Sequence, residues 1–543
     1  MRRTLLVISA LFLTSAAWAD GDHDRNHDHG KMTSEKLGDV HFPISCGAKS
    51  QKEFDRGMAM QHSFWFEKSY ETFRDLAEQD PQCAMAHWGV AMSQYHPLWG
   101  PPSKDEFAIG AAAAEKAKTA KKATPRERKY VNAIAAYYTD ADKLSPRERA
   151  MKYQQAMGAL SESEPKDTEA QILFALALDA TADPKDKTFA NQKRCGEILE
   201  PIFAKQPQHP GLAHYIIHCY DNPALAQQGL NAARAYAKIA PSVPHALHMP
   251  SHIFTRLGLW DESIASNAAS AAAGRKYEQE TKMTGMWDQT AHPLDYQHYA
   301  LLQQGRVAEA QKIVELMRTS PAADINVRAA AYGFASTSAR QAVETEDWLA
   351  AAALIPQNSK ERDADANLYL ARAMGAAHIS NVDATRRNVD QLIDIENSLA
   401  DPYWKGQAEI KRLEGQAWLA FAQGRGDEAL NIARDAAAKK DATDKNPVTP
   451  GALRPAHEIF ADLLLETKQY SAAAKEYQTS LQSAPGRFHG LYGAAKASEL
   501  AGDRENAHKY YELLLKVAEK GDAARPELEA ARKFVSSAQV AKN

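Results

Sequence analysis

Large apolar residues recur three and four positions apart through alanine-rich stretches along most of the chain, the spacing that lines one face of an α-helix, and no alternating stretch of useful β-strand length occurs. The pattern itself repeats. Tyr470, Ala473, Tyr477 and Pro485 stand at the relative spacing of positions 17, 20, 24 and 32 in a 34-residue helical hairpin, and Gly502, Ala507, Tyr511 and Leu514 carry it into the next unit. Near the other end, Gly57, Phe73, Leu76 and Pro81 fall on positions 8, 24, 27 and 32 of a unit that starts at Ser50. Shorter hairpin signals recur at Gly305-Arg306-Val307 with Ala310, at Glu346-Asp347-Trp348 with Ala351, and from Gly424 to Ala429. Small residues at the contact positions let helices approach closely, and Pro81, Pro241 and Pro485 stop second helices at the same place in the unit. The spacing predicts an all-α, right-handed superhelix over most of residues 50 to 521, in place of the three or four globular domains that 543 residues would allow. Pro97 to Ser103 and Asp441 to Pro450 read as irregular connections.

These residues resemble the tetratricopeptide repeat (TPR) family. The resemblance implies a TPR-like right-handed α-solenoid whose concave groove is lined by positions 2, 5, 9 and 12 of each first helix, and a protein or peptide partner bound there. The expected organisation is a signal peptide at 1–19, a His-rich disordered segment at 20–45 and N-terminal repeats with insertions at 46–205. Central repeats follow at 206–320, further hairpins at 321–440, C-terminal repeats at 451–525 and a tail at 526–543.

The leader carries Arg2 and Arg3, an apolar run from Leu5 to Leu13, and Ala17-Trp18-Ala19, an Ala-x-Ala cleavage pattern. Export in soluble form, periplasmic or secreted, with no integral membrane segment after cleavage, is therefore expected. The four cysteines then meet an oxidising compartment; of three connectivities, Cys46 with Cys83 and Cys195 with Cys219 join the pairs closest in sequence. Hydrophobic residues at 44%, charged residues at 25% and a mean hydropathy of −0.50 fit a soluble chain with a core. The net charge of −4, which becomes −6 without Arg2 and Arg3, lacks the basic excess of a general nucleic-acid binder.

The repeat frame makes the histidines informative. With a unit starting at Pro210, His214 and His218 occupy positions 5 and 9, and in the next unit, from Pro244, so do His248 and His252. Asp221 falls on position 12 and His245 on position 2; a frame from Ala291 puts His292 on position 2 and Asp295 on position 5. Residues four apart share a helix face, and packed helices lie about 8–10 Å apart, so two imidazoles from each of two neighbours can converge on one transition metal ion, zinc or copper. His214, His218, His248 and His252 are the expected ligands, with His245 and His292 as additions. Packing of these histidines in the groove beside Tyr215, Tyr220 and Phe254 is the competing reading.

The alternative function is a metal-dependent, hydrolase-like enzyme using this cluster. His214-Tyr215-Ile216-Ile217-His218 has the histidine spacing of a zinc protease but Tyr215 in place of its catalytic glutamate, which leaves Asp221, Asp295 or Glu262 as candidate bases. His62 and His96 share position 13 of the first two repeats, and His23, His27 and His29 lie in an acidic tail able to hold a metal loosely. The motifs around His214 and His248 are similar to those of a group of exported bacterial TPR proteins, a likeness that implies architecture and no particular reaction.

Overall fold

The structure is a computed structural model that describes residues 35–357 and 359–540. The expected leader and the His23, His27 and His29 tail lie outside the described residues. Among those residues the fold is all-α, apart from two isolated bridges, and successive helices pack in pairs as a TPR-like solenoid of helical hairpins. Ala48–His62 pairs with Phe66–Gln79, Pro210–Cys219 with Ala226–Ile239, and Phe488–Leu500 with Arg504–Val517. The stretch expected as a tail carries a further helix, Pro526–Val540, packed on Arg504–Val517.

Local sequence explains these elements. Thr124-Pro125 and Ser145-Pro146 each open a helix with a hydroxyl cap, a proline whose missing N–H costs nothing there, and a glutamate, Glu127 or Glu148, that closes a capping box. Small residues set the helix spacing: a Cβ at Gly57 or Gly89 would stand 2.7 or 2.4 Å from the Phe73 ring, and one at Gly493 would stand 2.3 Å from Tyr477. Phe42 packs edge-on against Phe54 and Trp88 and tilted against Tyr130 beneath the N-terminal hairpins, where residues 36–46 run extended. That extended segment is tied to distant repeats through Asp39 N–H to the Gln208 carbonyl (2.9 Å) and Ser45 to the Glu127 carboxylate (2.6 Å).

The cysteines pair as Cys46–Cys83 and Cys195–Cys219, with Cα atoms 5.4 and 6.0 Å apart. Two disulfides fit a non-reducing, exported environment. No described helix is long and apolar enough to cross a membrane.

The hairpins do not run on as a simple line, because the C-terminal units fold back onto the central ones. Trp260 Nε1 donates to the Gly486 carbonyl (2.9 Å), the Asp522 N–H to the Gly305 carbonyl (3.0 Å), and the Asp522 carboxylate accepts from Ala308 N–H (2.9 Å). Gly258, at φ 68°, brings its turn so close to the Pro485 carbonyl that a Cβ would meet it at 2.8 Å. At the centre of this contact the fully buried Arg487 donates to Glu458 (2.7 and 3.0 Å), Glu344 (2.6 Å) and the Tyr299 hydroxyl (3.0 Å).

Buried His298, whose Nε2 lies 3.0 Å from Gln341 Oε1, has a pKa lowered to about 3 by burial and by Arg340. The unfolded chain, with His near pH 6.5, then binds the extra proton, so stability is intact above that value and falls as pH drops toward the folded pKa. From pH 7 to pH 5 this one residue costs about 2 kcal/mol. His298→Gln is expected to shrink the acid-side fall in melting temperature, and an unchanged slope would contradict the assignment.

Candidate metal centre

Four helices present the histidines. Pro210–Cys219 carries His214 and His218 one turn apart, and Asp288–Gln303 carries His292. Between them Pro250, which has no N–H for the Ala246 carbonyl, divides one path into Pro244–His248 and Pro250–Leu257, with Met249 as the shared cap. His245 and His248 thus stand on the first piece and His252 on the second.

The six rings form two triads. The ligand nitrogens of His214, His218 and His245 lie within 4.8 Å of one another, and so do those of His248, His252 and His292. His214 Nε2 stands 3.1 Å from His218 Nε2 and 3.2 Å from His245 Nε2; His248 Nε2 stands 2.9 Å from His252 Nε2. Bonds of about 2.0–2.1 Å to one ion place cis or tetrahedral nitrogens about 2.9–3.4 Å apart, so these separations match a shared ion. The sequence grouped four histidines and treated His245 and His292 as additions, whereas the fold gives each triad one of the two.

The outer ring nitrogens decide which way the lone pairs point. His214 Nδ1 donates to the His62 carbonyl (2.6 Å), and His252 Nδ1 donates to Asp221 Oδ2 (2.8 Å). His248 Nδ1 faces Asn267 Oδ1 (2.6 Å), and because Asn267 Nδ2 is committed to the Ser263 carbonyl (2.8 Å), that oxygen accepts. With protons held on Nδ1, the Nε2 atoms of His248 and His252 turn bare lone pairs toward each other at 2.9 Å. Two such lone pairs repel in a buried site, and a cation beside them reverses the sign.

Burial keeps the rings neutral. It pushes His218 and His292 down to about 3 and takes His214, His245 and His248 well below the usual histidine value, with neighbouring imidazoles acting in the same direction. His252 is lowered less, since Asp221 opposes burial there. Burial by itself would raise the Asp221 carboxyl, but Lys445, Arg256 and His252 together hold it well below the carboxylate range. Lys445 is itself lowered to about 8 by burial and Arg256.

Aromatic rings and a returning segment wall the centre. Phe64 lies 4.4, 5.5 and 5.7 Å from the rings of His214, His218 and His245, and Tyr296 lies 4.9 Å from both His248 and His252. The 442–455 connection, of which Asp441 to Pro450 was expected as an irregular link, reaches over the central repeats: Asp444 meets Arg256 (3.3 Å), and the Tyr296 hydroxyl donates to the Pro447 carbonyl (2.7 Å). Only His218 of the six is half-buried, and the others are buried.

The remaining candidates stand elsewhere. Asp221 faces the outer nitrogen of His252 and the Arg256 guanidinium (2.8 Å), Asp295 is paired with Arg340 (2.5 Å), and Glu262 is bound to Arg234 on the surface (2.9 Å). His96 contacts the Ser93 carbonyl (3.0 Å) beside Phe66. His62 belongs to a separate network in which its Nε2 and His209 Nε2 meet the two oxygens of Glu169 (3.0 and 2.9 Å) and its Nδ1 meets the Tyr215 hydroxyl (3.0 Å). Burial opposes the charge on Glu169, but the two imidazoles outweigh it and hold the carboxyl far below its usual range. Tyr215, in the glutamate position of the protease pattern, is thus a partner of His62. Glu169, His209 and Asn267 carried no repeat signal; only tertiary contact reveals them.

No family model matches the chain, and no curated protein matches it. Among solved structures it is similar to the APC/C hetero-tetramer Cut9-Hcn1 at 10% identity, over 90% of this chain and 96% of that chain, with a TM-score of 0.29. The solenoid is defined by the pairing of successive helices in this chain.

Proposed function

We propose that the protein is an exported transition-metal protein in which a scaffold of helical hairpins holds metal at the six-histidine centre. The observation that carries this reading is the pair of histidine triads: the Nε2 atoms of five histidines meet a neighbour at 2.9–3.2 Å, a His292 ring nitrogen completes the second triad within 4.8 Å, and three of the outer nitrogens are anchored on oxygen acceptors. Neutral imidazoles without thiolates favour copper or zinc among the common ions. A structural packing role would leave converging lone pairs uncompensated. The hydrolase-like alternative is less favoured, because Asp221 is committed to the outer nitrogen of His252 and to Arg256, Asp295 is paired with Arg340 and Glu262 with Arg234. A protein or peptide partner, which solenoids of this type commonly bind, would use concave surface away from the covered centre.

Elemental analysis of protein made without chelators or an affinity tag tests the reading. Stoichiometric copper or zinc is expected, and His214→Ala with His252→Ala, one change in each triad, should remove most of it. Sub-stoichiometric metal unaffected by the double substitution would overturn the proposal.

A further inference from the structure

We infer that the two triads form one coupled two-metal centre with a bridging position for a small anion, of the di- or triatomic oxygen- or nitrogen-donor class. The inference rests on the metal-binding reading above and adds three observations to it.

The first is spacing. Across the triads, the ring centroids of His218 and His252 lie 6.3 Å apart and those of His245 and His248 6.1 Å apart. Within the triads, His218 to His245 is 6.5 Å and His252 to His292 is 6.1 Å. Neighbouring rings of different triads are thus about as close as the widest pair within each triad, although the other within-triad pairs are tighter at 4.4–5.0 Å, and the six rings make one continuous cluster. Rings in contact across the two triads suit a pair of ions at the separation of two-metal sites, about 3.5–4 Å.

The second is charge. Two divalent ions would bring four positive charges into a site whose ligands are all neutral. The carboxylate next to it, Asp221, is turned to the outer side of His252 and shared with Arg256 (2.8 Å), and Lys445 adds a further cation nearby. Buried charge of one sign demands a counter-charge, and three protein ligands per ion leave a coordination position open to supply it. One anion between the ions fills the open position on both and removes one of the four positive charges.

The third is size. Phe64 on one triad, Tyr296 on the other and Tyr236 stacked 5.1 Å from His214 pack directly on the rings, which favours a small ligand over an organic substrate, and half-buried His218 is the most exposed ring of the six. The ligand class is therefore hydroxide, azide and molecules of that size.

The test uses the full mature chain loaded with Cu(II), with azide as the probe and an oxidant present to keep copper divalent. Two coppers per chain are expected. Double integration of the electron paramagnetic resonance signal should account for less than half of them, and azide should saturate at one per two coppers with a new ligand-to-metal absorption band. His214→Ala with His245→Ala, which leaves one complete triad, should bind one copper with its full resonance intensity and show no such saturation. Two retained coppers with full intensity and independent azide binding would overturn the coupling while leaving metal binding intact. A chain that retains no copper or zinc would overturn the metal reading itself and this inference with it.

Discussion

Arg487→Met is expected to destabilise the protein by about 3–5 kcal/mol, the cost of leaving buried carboxylates without their cation. Arg487 is fully buried and serves Glu344, Glu458 and the Tyr299 hydroxyl together. Burial opposes the charge on Glu344, and Arg487 is the leading group that keeps its carboxyl ionised. In a repeat array most contacts are between neighbours, so the loss should concentrate where Arg487 joins distant units. Faster hydrogen exchange over residues 456–540, with a lower denaturation midpoint, is the expected signature. Adding Glu344→Gln and Glu458→Gln to Arg487→Met should recover much of the loss, because no unpaired charge remains. A loss below about 1 kcal/mol would mean that water reaches the site.

Asp221→Asn should weaken metal affinity by about 10–100-fold, the usual effect of removing a carboxylate behind a histidine ligand. The carboxylate accepts from His252 Nδ1 and from Arg256 Nε at 2.8 Å each. An asparagine that keeps its oxygen on Arg256 turns an N–H toward His252 Nδ1, which then must accept, and the ring proton moves to Nε2, where it blocks the ligand lone pair. Loss of affinity at one of two equivalents of metal, in a chain with unchanged helical content, is the expected result. Equal affinity at both would show that His252 needs no carboxylate to set its tautomer.

Much of the architecture was legible in the chain because repeat units record their packing in short-range spacing. Gly57 with Phe73 and Gly493 with Tyr477 are small-to-large contacts between helices close in sequence, so composition and periodicity reveal them. The histidines at positions 2, 5 and 9 were visible for the same reason, since the repeat frame places them on one line of the helices.

Their division was not visible. The break at Pro250 moves His252 onto its own short helix, and the frame does not specify which rings meet across units. The return of residues 442–455 over the centre, and of the C-terminal hairpins onto Gly258, Gly305 and Glu344, depends on contacts between residues up to 259 positions apart. Local spacing carries no record of such pairs. The sequence by itself determined helical hairpins, their small-residue spacing and the line of histidines, because these follow from interactions within about one repeat. Tertiary structure alone decided that six histidines form two triads, that Asp221 and Asn267 fix ring protons while Asp295 is drawn away by Arg340, and that the centre is covered. Those outcomes depend on where distant helices bring their side chains, which contacts within one repeat do not set.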